Sequence, residues 1–94
     1  MTKQHEKKLA LVTGASRGIG ASIAKELANT GAHVILLARN IGSLEEIDEE
    51  INKNGGSSTI VAMDLLDYPA IDRLGARIFE RWGKLDILIG NAAV

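Results

Sequence analysis

The sequence predicts an α/β fold, a parallel sheet with helices packed on both of its faces. Three observations carry that expectation. Short, continuously apolar runs recur along the chain, as strands buried on both faces require. Between them lie stretches with apolar residues at three- and four-residue spacing, the mark of a helix with one buried face. Strands that alternate with helices of roughly ten or more residues are joined by right-handed crossovers, which makes the neighbouring strands parallel.

The elements follow in order. Leu9-Ala10-Leu11-Val12 is the first strand and stops at Thr13-Gly14. Ile19, Ile23, Ala24, Leu27 and Ala28 form the apolar side of the first helix, and Gly31 ends it. Val34 to Ala38 is the second strand, closed by Arg39-Asn40. Ser43-Leu44-Glu45-Glu46 has the capping-box pattern, which places the start of the second helix at Ser43. Leu44, Ile47 and Ile51 face inward there, Glu45, Asp48, Glu49 and Glu50 form a solvated side, and Asn54-Gly55-Gly56 ends the helix. Thr59 to Met63 is the third strand. The third helix starts after Asp67, tolerates Pro69 in its first turn, and aligns Ile71, Leu74, Ile78 and Trp82 on one stripe. Gly83-Lys84 ends it, and Leu85 to Ile89 is the fourth strand. The expected order is β-α-β-α-β-α-β, with the sheet truncated after the fourth strand.

Composition narrows the function. A chain of 94 residues, 46% hydrophobic and 24% charged, has the make-up of one globular unit. Its 11 Lys and Arg against 12 Asp and Glu give a net charge of −1, so no cationic excess draws it to nucleic acid or an anionic membrane. With no cysteine, disulfides, thiolate-held metals and cysteine nucleophiles are excluded, and two histidines offer little for a metal site. The apolar run after the charged segment 1–8 is too short for a signal peptide and nothing approaches the length of a membrane span, so the expected location is cytoplasmic. Segment 1–8 is expected to be a mobile tail, and 9–94 to form a partial domain.

The chemistry is concentrated between the first strand and the first helix, in Thr13-Gly14-Ala15-Ser16-Arg17-Gly18-Ile19-Gly20. This is where a doubly wound sheet binds phosphate. Gly14 suits a backbone conformation closed to other residues, Gly18 lets the main chain approach a pyrophosphate, and Gly20 lets the helix pack close to the strand. The N–H groups of the first helical turn then face the anion. A tight turn without a ligand is the plainer alternative, but the flanking strand and helix and their spacing favour a Rossmann-type dinucleotide site.

These residues resemble the short-chain dehydrogenases/reductases, and the resemblance runs from Leu9 to Val94. The family's Thr-Gly-x-x-x-Gly-x-Gly motif is matched by Thr13, Gly14, Gly18 and Gly20. The resemblance implies that Asp64, after the third strand and with Leu65 beside it, contacts the adenine. It also implies that Asn91 and Ala92 line the cofactor, within a Gly90-Asn91-Ala92-Ala93 segment that departs from the family's Asn-Asn-Ala-Gly at two positions. Ser16, Arg17, Gly18, Ile19 and Arg39 complete the expected cofactor-binding set. Ala38 stands where NAD-type members carry an aspartate, and Arg39 and Arg17 are placed to meet a 2′-phosphate, so NADP (NADPH) is the expected cofactor over NAD.

The family's catalytic serine and Tyr-x-x-x-Lys lie beyond the fourth strand. Tyr68 is the chain's one tyrosine and the residue four positions on is Asp72, so no catalytic residue is assigned. His5 and His33 are expected to face solvent, and Trp82 to be core or interface. The implied role is the NADP-binding half of an oxidoreductase, inactive alone. A complementary carboxy-terminal fragment or a second copy would then be the partner. A non-catalytic nucleotide-binding module and the inert product of a split or shortened gene remain the alternatives.

Overall fold

The computed structural model describes residues 7–16 and 18–90. The order is β1 (Leu9–Thr13), α1 (Gly18–Asn29), β2 (His33–Ala38), α2 (Ile41–Lys53), β3 (Ser57–Ala62), α3 (Tyr68–Trp82) and β4 (Ile87–Gly90). All pairings are parallel, in the order β3-β2-β1-β4. The predicted fold is therefore the observed one.

Strand polarity alternation splits the sheet's apolar residues between two layers. Ala10, Val12, Val34 and Leu36 point to one face, where the buried sides of α1 and α2 cover them with Ala24, Ala28, Leu44, Ile47 and Ile51. Leu9 and Ile35 point to the other, where Ile78 of α3 is buried and Leu74 and Trp82 pack beside it. The inner face of α1 is made of Gly20, Ala21, Ala24 and Ala28, so this helix lies close to the sheet. Gly56 permits a similar approach at the start of β3, since a Cβ there would meet Ile51 Cγ2 at 3.0 Å and Ala28 Cβ at 3.2 Å.

Several local expectations are corrected. Helix α2 starts at Ile41, not Ser43, because the Asn40 side chain accepts from the Ser43 N–H at 3.1 Å and is itself the N-cap. Ile19 does not join the buried stripe of α1 but is 70% exposed, because the face of α1 turned to the sheet runs through Gly20, Ala21, Ala24 and Ala28. On the acidic side of α2, Asp48 is half-buried and accepts from the Ser58 hydroxyl, while Glu50 pairs with Lys25 at 3.2 Å. Strand β3 begins at Ser57, two residues earlier than its apolar run, because pairing with β2 continues through polar residues. Strand β4 begins at Ile87, later than Leu85, and Asp86 holds its start: its carboxylate accepts from the Leu9 N–H at 2.8 Å and its own N–H donates to Leu9 O at 3.0 Å. The start of α3 is as expected, with Asp67 capping through the Ala70 N–H at 3.2 Å.

His33 is also corrected. It is half-buried, with Nδ1 2.8 Å from Ser57 Oγ and Nε2 2.8 Å from Thr59 Oγ1, and its ring lies 5.6 Å from that of Trp82. His5 lies outside the described residues. Burial is the main cause that holds the His33 pKa below its usual value, with Lys7 and Arg81 adding to it. The unfolded chain therefore takes up this proton before the native one does. Stability is full above the unfolded value of 6.5 and falls as the pH drops below it toward the lower native value. Asp86, held below the usual carboxylate range first by the Leu9 N–H and then by Lys84, adds a second loss at more acid pH. The urea midpoint is expected to fall between about pH 7.5 and about pH 5.5, and His33→Gln is expected to flatten that dependence. An unchanged slope in the variant would remove His33 as the cause.

Candidate functional site

The chain passes from β1 outward through β2 to β3, then returns to place β4 on the other side of β1. The connections reverse direction at β1, and in such sheets the crevice beyond the carboxyl ends of the strands is where ligands sit. The glycine turn occupies that position. It leaves β1 at Thr13 with Gly14 at φ 65° and enters α1 with Gly18 at φ 62°, both in the left-handed region. A Cβ at Gly18 would meet nothing within 4 Å, so its outer side opens onto free space, while Gly20 is buried against the strand. The turn is tied to β2 by the Ala15 N–H, which donates to Leu37 O at 3.2 Å, and Ala15 is fully buried.

The remaining candidates are carried by the ends of the neighbouring strands. Arg39 follows β2 and is exposed. Asp64 and Leu65 follow β3 and are exposed; the Asp64 carboxylate accepts from the Leu66 N–H at 3.0 Å, and its carbonyl from the Asp67 N–H at 3.0 Å. Ser16 is half-buried in the turn and Ile19 is exposed above it. Gly14, Ser16, Gly18, Ile19, Gly20, Arg39, Asp64 and Leu65 thus share the carboxyl end of the sheet. Arg17, Asn91 and Ala92 lie outside the described residues.

The motif named Thr13 without a role for its side chain, whose hydroxyl donates to Ile89 O at 3.3 Å and links the ends of β1 and β4 beside the turn. Its signal was a hydroxyl at the last position of an otherwise apolar strand. Tyr68 opens α3 with its side chain 68% exposed. Among the described residues, no helix is long and apolar enough to cross a membrane.

The sheet order and the glycine turn at its reversal define a doubly wound α/β protein of the Rossmann type. A sequence model described as short chain dehydrogenase matches residues 8–94, and the chain belongs to that family. It is 48% identical over 85 residues to a fatty acyl-CoA reductase of Acinetobacter baylyi, covering 90% of this chain and 29% of that protein. To a sorbitol dehydrogenase of Cereibacter sphaeroides it is 38% identical, covering 93% of this chain and 33% of the relative. Among solved structures, a metagenomic short-chain oxidoreductase in complex with NADP superposes with a TM-score of 0.89 at 41% identity, over 93% of this chain and 39% of the other. The L-sorbose reductase of Gluconobacter frateurii, complexed with NADPH and L-sorbose, gives 0.84 at 35% identity, over 94% and 34%. The chain therefore spans about a third of the length of the relatives it matches.

Proposed function

We propose that this chain is the NADP(H)-binding half of a short-chain dehydrogenase/reductase-type oxidoreductase, and that it has no turnover by itself. The observation that carries the reading is the full Thr13-Gly14-x-x-x-Gly18-x-Gly20 motif, with Gly14 and Gly18 at positive φ, at the reversal point of the sheet. The residues fit a dinucleotide. The open side of Gly18 receives a pyrophosphate with no side chain in the way, and the N-terminus of α1 offers it unpaired backbone donors of the first helical turn. Arg39 meets the 2′-phosphate and Asp64, with Leu65 beside it, the adenine; by the family motif Arg17 joins Arg39, and Asn91 and Ala92 line the cofactor. The bound nucleotide would supply the hydride chemistry.

The acid/base residues are to come from outside this chain, since it contains no Tyr-x-x-x-Lys. A complementary segment that pairs with β4 on the side away from β1 is the proposed partner. Titration calorimetry with NADPH and NADH tests the first half of the reading: saturable binding that favours NADPH is expected, and no binding of either overturns it. Turnover of carbonyl substrates above a no-protein control, surviving repurification, would overturn the second half.

A further inference from the structure

We infer that the cleft between α3 and the strands β2 and β3 binds a single-chain carboxylate, its tail on the apolar floor and its head against the arginines of α3. The cleft has a volume of about 580 Å³ and is lined by none of the candidate dinucleotide residues, so the inference stands apart from the proposed function. Clefts of about 300 to 1,000 Å³ hold most small-molecule ligands.

The floor is apolar. It is built from Ile35 of β2, 1% exposed, Val61 of β3, and Leu74 and Ile78 of α3. Trp82 lies at the last turn of α3, its ring faced by His33 and covered on one side by the Arg81 guanidinium at 4.7 Å.

The wall is cationic. Arg73, Arg77 and Arg81 recur every four residues, and such positions are neighbours on one side of a helix. Like charges at this spacing repel, a cost that a bound anion removes. Among the described residues Arg73 and Arg77 have no carboxylate within 4.0 Å, and Glu80 is the one acidic residue lining the cleft. An apolar floor without the arginines would suit any hydrophobe, and arginines without the floor any small anion. The two together select an amphiphile with an anionic head, and a carboxylate matches the planar fork of a guanidinium.

The chain has one tryptophan, so the emission of Trp82 reports occupancy directly. The 94-residue chain is titrated with decanoate, with decyltrimethylammonium, with acetate, and with phosphatidylglycerol vesicles. A saturable change is expected with decanoate below its micelle concentration, and none with acetate or with the cationic amphiphile of equal tail. Bound NADPH is expected to leave it unchanged. Arg73→Gln with Arg77→Gln, both at exposed positions, is expected to weaken binding about tenfold with far-ultraviolet circular dichroism unaltered, since solvent-exposed ion pairs are individually weak. Ala70→Phe, which fills the cleft from α3 and leaves the arginines in place, is expected to abolish it. Equal response to the cationic amphiphile, unchanged affinity in the arginine variant, or binding to vesicles alone would overturn the inference. Self-association through β4 would not interfere, because β4 and the β3 side of the cleft are opposite edges of the sheet.

Discussion

Replacing Ala38 by aspartate together with Arg39 by alanine is expected to reverse nucleotide preference, from NADPH over NADH to NADH over NADPH. Ala38 is the last residue of β2 and Arg39 follows it, exposed at the carboxyl end of the sheet. A carboxylate at this position accepts hydrogen bonds from the ribose hydroxyls and repels a 2′-phosphate, whereas a guanidinium attracts the phosphate. A charge-assisted hydrogen bond contributes about 1.5 to 3 kcal/mol, so losing that of Arg39 should weaken NADPH about ten- to a hundredfold, the lower end applying to a solvent-exposed contact. NADH should be nearly unaffected by the Arg39→Ala change alone. The Ala38→Asp change has a second consequence. Ala38 is only 9% exposed and belongs to the core under α1 and α2, so the new carboxylate bears a desolvation cost that Arg39→Ala does not. The single variants, each followed by calorimetry and thermal melts, separate recognition from stability. Equal affinities for the two nucleotides in the unaltered chain, or no loss of NADPH binding on removing Arg39, would mean that Arg39 does not read the phosphate.

By itself the chain is expected to self-associate, and lysine at Leu88 and Phe79 together is expected to return it to a monomer. Among the described residues β4 pairs only with β1, so its other side presents unpaired backbone groups. Leu88, on the sheet face that carries α3, is 62% exposed, and Phe79 of α3 is 64% exposed. Both are large exposed apolar side chains, and Leu88 stands on the open edge itself, the arrangement that templates strand addition. A chain of this size buries only about 60 to 70% of its unfolded surface, so little stability is in reserve to oppose association. Substitution at such exposed positions should change stability by no more than about 0.5 kcal/mol, which makes sedimentation velocity a clean readout. A single monomeric boundary for the unaltered chain would refute the expectation. A complementary segment that covers β4 should both suppress association and raise the melting temperature.

The relation of sequence to structure differs from element to element. Buried strands were legible because both faces demand apolar residues: β2 is buried along Val34–Ala38, and its run was unmistakable. Edge strands were less so. In β3 every residue from Ser57 to Val61 is half-buried, so polar Ser57 and Ser58 pair with β2 without an apolar signal. The start of α2 was misplaced at Ser43 because the capping-box pattern there is purely local, whereas Asn40 caps the helix with a side chain that reaches the backbone N–H three residues on.

The sequence by itself determined the order of elements, the parallel sheet and the glycine turn between β1 and α1. It did so because these depend on local period, on the backbone freedom of Gly14 and Gly18, and on the handedness of crossovers. Only the tertiary structure decided which side chains meet. It turned Ile19 outward, drew His33 between Ser57, Thr59 and Trp82, tied Thr13 to Ile89, and set the arginines of α3 beside an apolar cleft. The reason is physical. His33 and Thr59 are 26 residues apart, and Thr13 and Ile89 are 76 apart, so their contacts exist only once the strand register is fixed. No local pattern encodes that register; it follows from the burial of whole sheet faces at once.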